Sequence, residues 1–204
     1  MSTIGRAIAF VAVVLASSPV LADLDAGLAA AKRGDYHQAL AQWMPLAKAG
    51  NAEAQYDIGW LYAYGHGVPQ DYGKALDWYR KSAAQGNLSA ISNIGRLYQN
   101  GLGVAEDDAA AVQWYRLAAD GGNGVAQYNL GSMYLRGDGV PQSDRDAHLW
   151  LSLALESDLP DQVRSDAKHD IRVVEAHMSA DEIAESRRLV QAWRPQKPTR
   201  IPPN

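Results

Sequence analysis

From Asn51 to Ser157 the chain repeats itself at a period of 36 residues without a gap. The three units read NAEAQYDIGWLYAYGHGVPQDYGKALDWYRKSAAQG, NLSAISNIGRLYQNGLGVAEDDAAAVQWYRLAADGG and NGVAQYNLGSMYLRGDGVPQSDRDAHLWLSLALES. A unit this short cannot bury its own apolar face, so neighbours must stack into an array with a continuous core. Every local motif has to be read against that array first.

The aligned columns have mechanical meanings. Asn51, Asn87 and Asn123 are helix N-caps, each directly after a glycine (Gly50, Gly86, Gly122) placed to end the preceding helix in a left-handed conformation. Within the helix that follows, Ala54, Ile58, Gly59 and Tyr62 share one face at 100° per residue, the stripe of a helix packed on a partner. Tyr62, Tyr98 and Tyr134 keep that face, and Gly59, Gly95 and Gly131 imply a close approach by another helix backbone. Asp71, Asp107 and Ser143 cap a second helix, whose apolar side carries Ala75, Trp78, Tyr79 and Ala83. Trp114 and Trp150 repeat Trp78, and each unit is therefore a helical hairpin.

The pattern A-x-x-x-[IL]-G-x-x-Y-x-x-G-x-G-V followed by A-x-x-W-[YL], three times over, resembles the Sel1-like repeat, a relative of the tetratricopeptide repeat with a longer inter-helix loop. The resemblance implies an all-α, right-handed α-solenoid used as a binding scaffold. Residues 51–86, 87–122 and 123–157 are the three repeats. Residues 23–50 keep Ala39, Trp43, Ala47 and Gly50 but lack the Gly-x-Gly-Val loop, and resemble a shorter-looped tetratricopeptide-like first unit. Residues 158–194 carry a stripe of Val163, Ala167, Ile171, Val174 and Met178, then a Ser179/Glu182 capping box opening a helix through Ile183, Val190 and Trp193. This pair is expected to close the open end of the array. The proline-rich residues 195–204 are expected to be disordered.

Residues 1–22 differ from the rest: Arg6, a ten-residue apolar run from Ala7 to Ala16, and Val-Leu-Ala before Asp23 read as a cleaved secretory signal. The run is shorter than the roughly 20 residues a spanning helix requires. Cleavage after Ala22 removes one arginine and no acid, taking the formal charge from -4 to -5. The expected location is periplasmic or secreted, with any membrane association through a partner. The chain has no cysteine, so a lipid-modified N-terminus, disulfides and thiol chemistry are excluded. Lys and Arg are scattered among acids, which argues against a nucleic-acid partner.

Chemistry is sparse. The loops at Gly65, Gly101 and Gly137 lack the strand and lysine of a phosphate cradle, and their middle residue changes from His66 to Leu102 to Asp138. His169 and His177 lie eight residues apart, about 12 Å along a helix, too far to share one metal. His148 stands in the column of Leu40, Leu76 and Val112 and reads as a packing residue. No Gly-x-Ser-x-Gly elbow exists. Cysteine-rich members of the resembled family described as β-lactamases carry disulfides that this chain cannot form. We expect no enzyme, no cofactor and no metal site.

What the hairpin core leaves over is aromatic. Tyr56, Trp60 and Tyr64 recur every fourth residue opposite Ala54, Ile58 and Tyr62, so they either face a partner or pack on the preceding unit. By the tetratricopeptide resemblance, first helices line a concave surface, with outward positions at Glu53, Tyr56, Trp60, Ala63 and Tyr64. The equivalent positions include Ser89, Ser92, Arg96, Gln99 and Asn100, then Val125, Tyr128, Ser132, Leu135 and Arg136. Aromatic and arginine side chains are the types enriched at binding hot spots. The candidate site is therefore Tyr56, Trp60, Tyr64, Arg96, Asn100, Tyr128 and Arg136 on a non-enzymatic cell-envelope scaffold that binds a protein or extended peptide. The rival readings are a glycan-binding module, its rings stacking on sugars, and a hydrolase, which would need a convergent nucleophile and base.

Overall fold

The computed structural model describes residues 23–198, which hold ten α-helices and no strand. In chain order they are α1 Leu24–Lys32, α2 Tyr36–Lys48, α3 Ala52–Tyr64, α4 Tyr72–Ala83, α5 Leu88–Gln99, α6 Asp108–Asp120, α7 Gly124–Arg136, α8 Asp144–Leu155, α9 Asp161–Glu175 and α10 Ala180–Ala192. The expected signal segment lies outside the described residues. Helices α1 to α8 pair as four successive hairpins, and each hairpin's second helix packs on the next one's first, so the array is an α-solenoid.

Local chemistry sets the boundaries. The side chains of Asn51, Asn87 and Asn123 accept from the backbone N–H of Ala54, Ala90 and Ala126 at 2.8, 2.9 and 2.8 Å. Asp71, Asp107 and Ser143 cap the second helices in the same way. This satisfies donors that a helix start otherwise leaves orphaned. Gly50, Gly86 and Gly122, with φ of 97°, 85° and 95°, make the turns between units.

The glycines inside the first helices make room chiefly for a buried side chain of the partner helix, a ring at Gly59 and Gly95, while at Gly131 the partner backbone itself comes close, at Leu151 N. A Cβ on Gly59 would lie 2.6 Å from the Tyr79 ring, and one on Gly95 would lie 2.9 Å from Tyr115. Gly131 leaves the same room for Leu151. In the first unit Trp43 takes this position over Gly27. A large, fully buried side chain thus lies in a notch at every hairpin crossing. The second loop glycine makes the joint between units: a Cβ on Gly67, Gly103 or Gly139 would strike the backbone of Tyr36, Tyr72 or Asp108, which opens the second helix of the preceding hairpin.

Tyrosines at the 36-residue spacing strengthen the same joints. Arg80 donates from Nη2 to the Tyr98 hydroxyl at 3.2 Å, and Arg116 does the same to Tyr134 in the next unit. At the C-terminal end, α9 continues the stacking on α8, whereas α10 packs along α8 instead of pairing with α9 as a further hairpin. His148, fully buried on α8, holds that arrangement. Glu175 accepts from His148 Nε2 at 3.3 Å, so Nδ1 is free to accept the Ser186 hydroxyl at 2.8 Å. The capping box at Ser179 and Glu182 is formed. Pro195 to Pro198, read from sequence as the start of a disordered tail, lie back on the array: the Gln196 N–H donates to the Asp120 carbonyl at 2.7 Å, and Pro195 rests near Gly122.

Candidate interaction surface on the first helices

The first helices of three successive repeats share one cleft. It is lined by Tyr56 of α3, by Ser89, Ser92, Asn93 and Arg96 of α5, and by Asn123, Val125 and Asn129 at the start of α7, and encloses about 150 Å³. Arg96 is its charged group. The guanidinium lies 5.4 Å from the centroid of the Tyr64 ring, and Nε reaches the Asn93 side-chain oxygen at 3.4 Å. Nη2 is buried and has no hydrogen-bond partner. Among the described residues, no carboxylate lies within 4.0 Å of it.

A second pocket, of about 270 Å³, opens on the other side of Tyr56. Leu28, Ala31 and Lys32 of α1, Trp43 of α2 and Tyr56, Asp57 and Trp60 of α3 line it. The Trp43 indole N–H is held by the Leu24 carbonyl at 3.2 Å, which fixes the floor. Burial, with a smaller contribution from the Glu53 charge, pushes the Asp57 carboxyl up to about 7. The Tyr56 hydroxyl is also raised, by burial first and then by Asp57 and Glu53.

The aromatic group is larger than the sequence suggested. His66 stacks on Tyr36 at 4.3 Å with the rings 14° apart, stands 4.8 Å from Trp60, and lies nearly parallel to Tyr64 at 6.1 Å. Trp60 also touches Tyr36 at 6.0 Å and Tyr64 at 5.3 Å. A residue dismissed as a variable loop position thus joins three rings across two units, while Leu102 and Asp138 do other work at the same place. Leu102 packs on the core, and Asp138 pairs with Arg136.

The expected site residues divide. Tyr56, Trp60, Tyr64 and Arg96 come together, and Trp60 both packs on the preceding unit and lines a pocket. Asn100 ends α5 and donates to the Arg96 carbonyl at 2.8 Å, outside the cleft lining. Tyr128 packs with the cluster of Ala147, Leu151, Ala167 and Val174 beneath α9. Arg136 is occupied by Asp138 and Ser132. Ala63, Ser92 and Ser132, expected outward, are buried. Sequence reasoning missed the column Asp57, Asn93, Asn129, a polar line at 36-residue spacing, and that spacing was its signal.

Other chemistry does not converge. Ser186 beside His148 is fully buried, so its hydroxyl cannot meet a substrate. Ser165 and Lys168 form a Ser-x-x-Lys spacing but lie exposed on α9 without a hydrogen bond between them. Among the described residues no group of His, Asp or Glu is placed to hold a metal.

Comparison with known proteins supports the array. The Sel1 repeat model matches residues 52–87, 88–123 and 124–159, one residue later than the periodicity suggests. The fold resembles a protective antigen present in uropathogenic Escherichia coli strains, described as displaying an SLR fold: TM-score 0.69, 26% identity, 83% of this chain and 40% of that one. It also resembles a Sel1 repeat protein from Oxalobacter formigenes: TM-score 0.65, 32% identity, 71% of this chain and 56% of that one. The matches thus span about half the length of those two proteins or less. No curated protein matches the chain. With more than half its residues in three matched repeats and the notched hairpins those repeats build, the chain belongs to the Sel1 repeat family.

Proposed function

We propose that this chain is a non-enzymatic binding scaffold that holds a partner protein or an extended peptide along the face of its first helices. The observation that carries the reading is the cleft across α3, α5 and α7, lined by Arg96 beside Tyr64, with no described carboxylate within 4.0 Å of that arginine. A guanidinium with no carboxylate partner beside an open cleft can take a ligand carboxylate or carbonyl. The cell envelope is where the N-terminal segment would send such a scaffold. Affinity capture from an envelope fraction tests the reading: a specific partner should be retained by the wild type and lost with Arg96→Ala or Trp60→Ala. Retention by both variants sinks it.

A glycan-binding role is the second reading, favoured by the stacked rings of Tyr36, His66 and Tyr64, the last 47% exposed. It calls for polysaccharide or cell-wall binding that disappears with Tyr64→Ala.

A further inference from the structure

The pocket between α1 and α3 keeps a carboxylate among aromatic walls. Asp57 accepts no hydrogen bond from a described residue, and no described lysine, arginine or histidine nitrogen lies within 4.0 Å of it. Three charged groups bear on the pocket. Glu53 stands one turn earlier on the same helix and repels Asp57, and Lys32 of α1 is exposed on the lining; α2 contributes only Trp43. Arg96 of α5 is on the far side of Tyr56. With Asp57 ionised, two acids bear on the pocket against one exposed lysine.

Its size and walls point the same way. At about 270 Å³ it has room for one long side chain. Leu28, Ala31 and Trp60 offer apolar surface for an aliphatic stem, and Trp60 and Tyr56 bring aromatic rings, a group that attracts cations, to the lining. Resting on the peptide-binding reading above, we propose that this pocket takes a lysine or arginine side chain of the bound peptide, its cation against Asp57, while Arg96 takes a carboxylate of the same peptide across Tyr56. The site then reads a basic and an acidic group in fixed order.

Selection from a displayed library of random peptides, run against the intact protein and its variants at neutral pH, tests this. The wild type should enrich peptides with Lys or Arg at a constant spacing from an acidic residue or the terminal carboxylate. Asp57→Asn should lose the basic preference, keep the acidic one, and weaken the selected peptides about tenfold; Arg96→Ala should do the reverse. Lys32→Gln, an exposed change that spares the fold, should tighten them severalfold. Wild-type affinity should fall as pH drops below 7 and stay level in Asp57→Asn. If the enriched peptides lack a basic residue, or Asp57→Asn retains the preference while Trp60→Ala abolishes binding, the basic pocket is wrong and the first-helix reading stands. If no peptide is enriched, or binding survives both Tyr56→Ala and Trp60→Ala, both readings fall.

Discussion

The guanidinium of Arg96 lies over the ring of Tyr64, 5.4 Å from its centroid, and so joins the first helices of two consecutive repeats through side chains 32 positions apart. Such a contact contributes about 0.5–1 kcal/mol at an exposed site. Arg96→Ala should therefore lower stability by about 1 kcal/mol or less, yet weaken a cleft ligand ten- to hundredfold. Urea unfolding beside a binding titration separates the two effects. A large stability loss with unchanged binding would make Arg96 a structural residue.

The notch at each hairpin crossing makes an opposite kind of prediction. Alanine is the better helix former, so Gly59→Ala on an open surface would stabilise. Here its methyl would meet the buried Tyr79 ring at 2.6 Å, and overpacking should destabilise by about 1–3 kcal/mol. Combining it with Tyr79→Leu should cost less than the two changes added together. Additive losses would show that the ring does not occupy the notch.

Asp57 gives a pH signature. Its folded-state value of about 7 stands above the ordinary 3.8, so the protonated form is favoured by the fold and stability falls as pH rises from about 4 through 7. After allowance for partial solvent screening the loss is about 1–2 kcal/mol. Asp57→Asn should raise the melting temperature at pH 8 and flatten the dependence between pH 4 and 7. A variant less stable than wild type at pH 8 would mean that the carboxylate supports the fold. A stabilising loss of binding is the pattern of a functional group held at some cost.

At the other end, His148→Leu should strand the Ser186 hydroxyl and leave Glu175 to Arg187 alone, costing about 2–4 kcal/mol. Hydrogen exchange should quicken first in α10, whose tie to α8 is lost, and leave α3 to α6 protected. Uniform loosening along the chain would contradict that division.

Much of this molecule was legible from the 36-residue columns, because a repeated unit states its rules three times. The Asn and Asp caps and the left-handed turns each follow from one residue's own chemistry and its neighbours in sequence. The candidate face was half legible. Tyr56, Trp60, Tyr64 and Arg96 were found by asking which side chains the hairpin core left unused. Tyr128 and Arg136 satisfied the same test, but Tyr128 packs with the cluster of Ala147 and Leu151, and Arg136 pairs with Asp138. Neither event has a periodic trace.

The sequence by itself determined the hairpin, its period, its caps and the family of folds, since these rest on short-range conformational preference and on apolar spacing. Only the tertiary structure decided which outward residues meet. It set His66 among three rings, left one nitrogen of Arg96 without a partner, and placed Asp57 behind Tyr56. Those relations arise where one repeat is laid across the next, and the offset of that crossing is set by bulk, by Tyr79 in the notch of Gly59 and by Tyr36 against Gly67, among residues far apart in the chain.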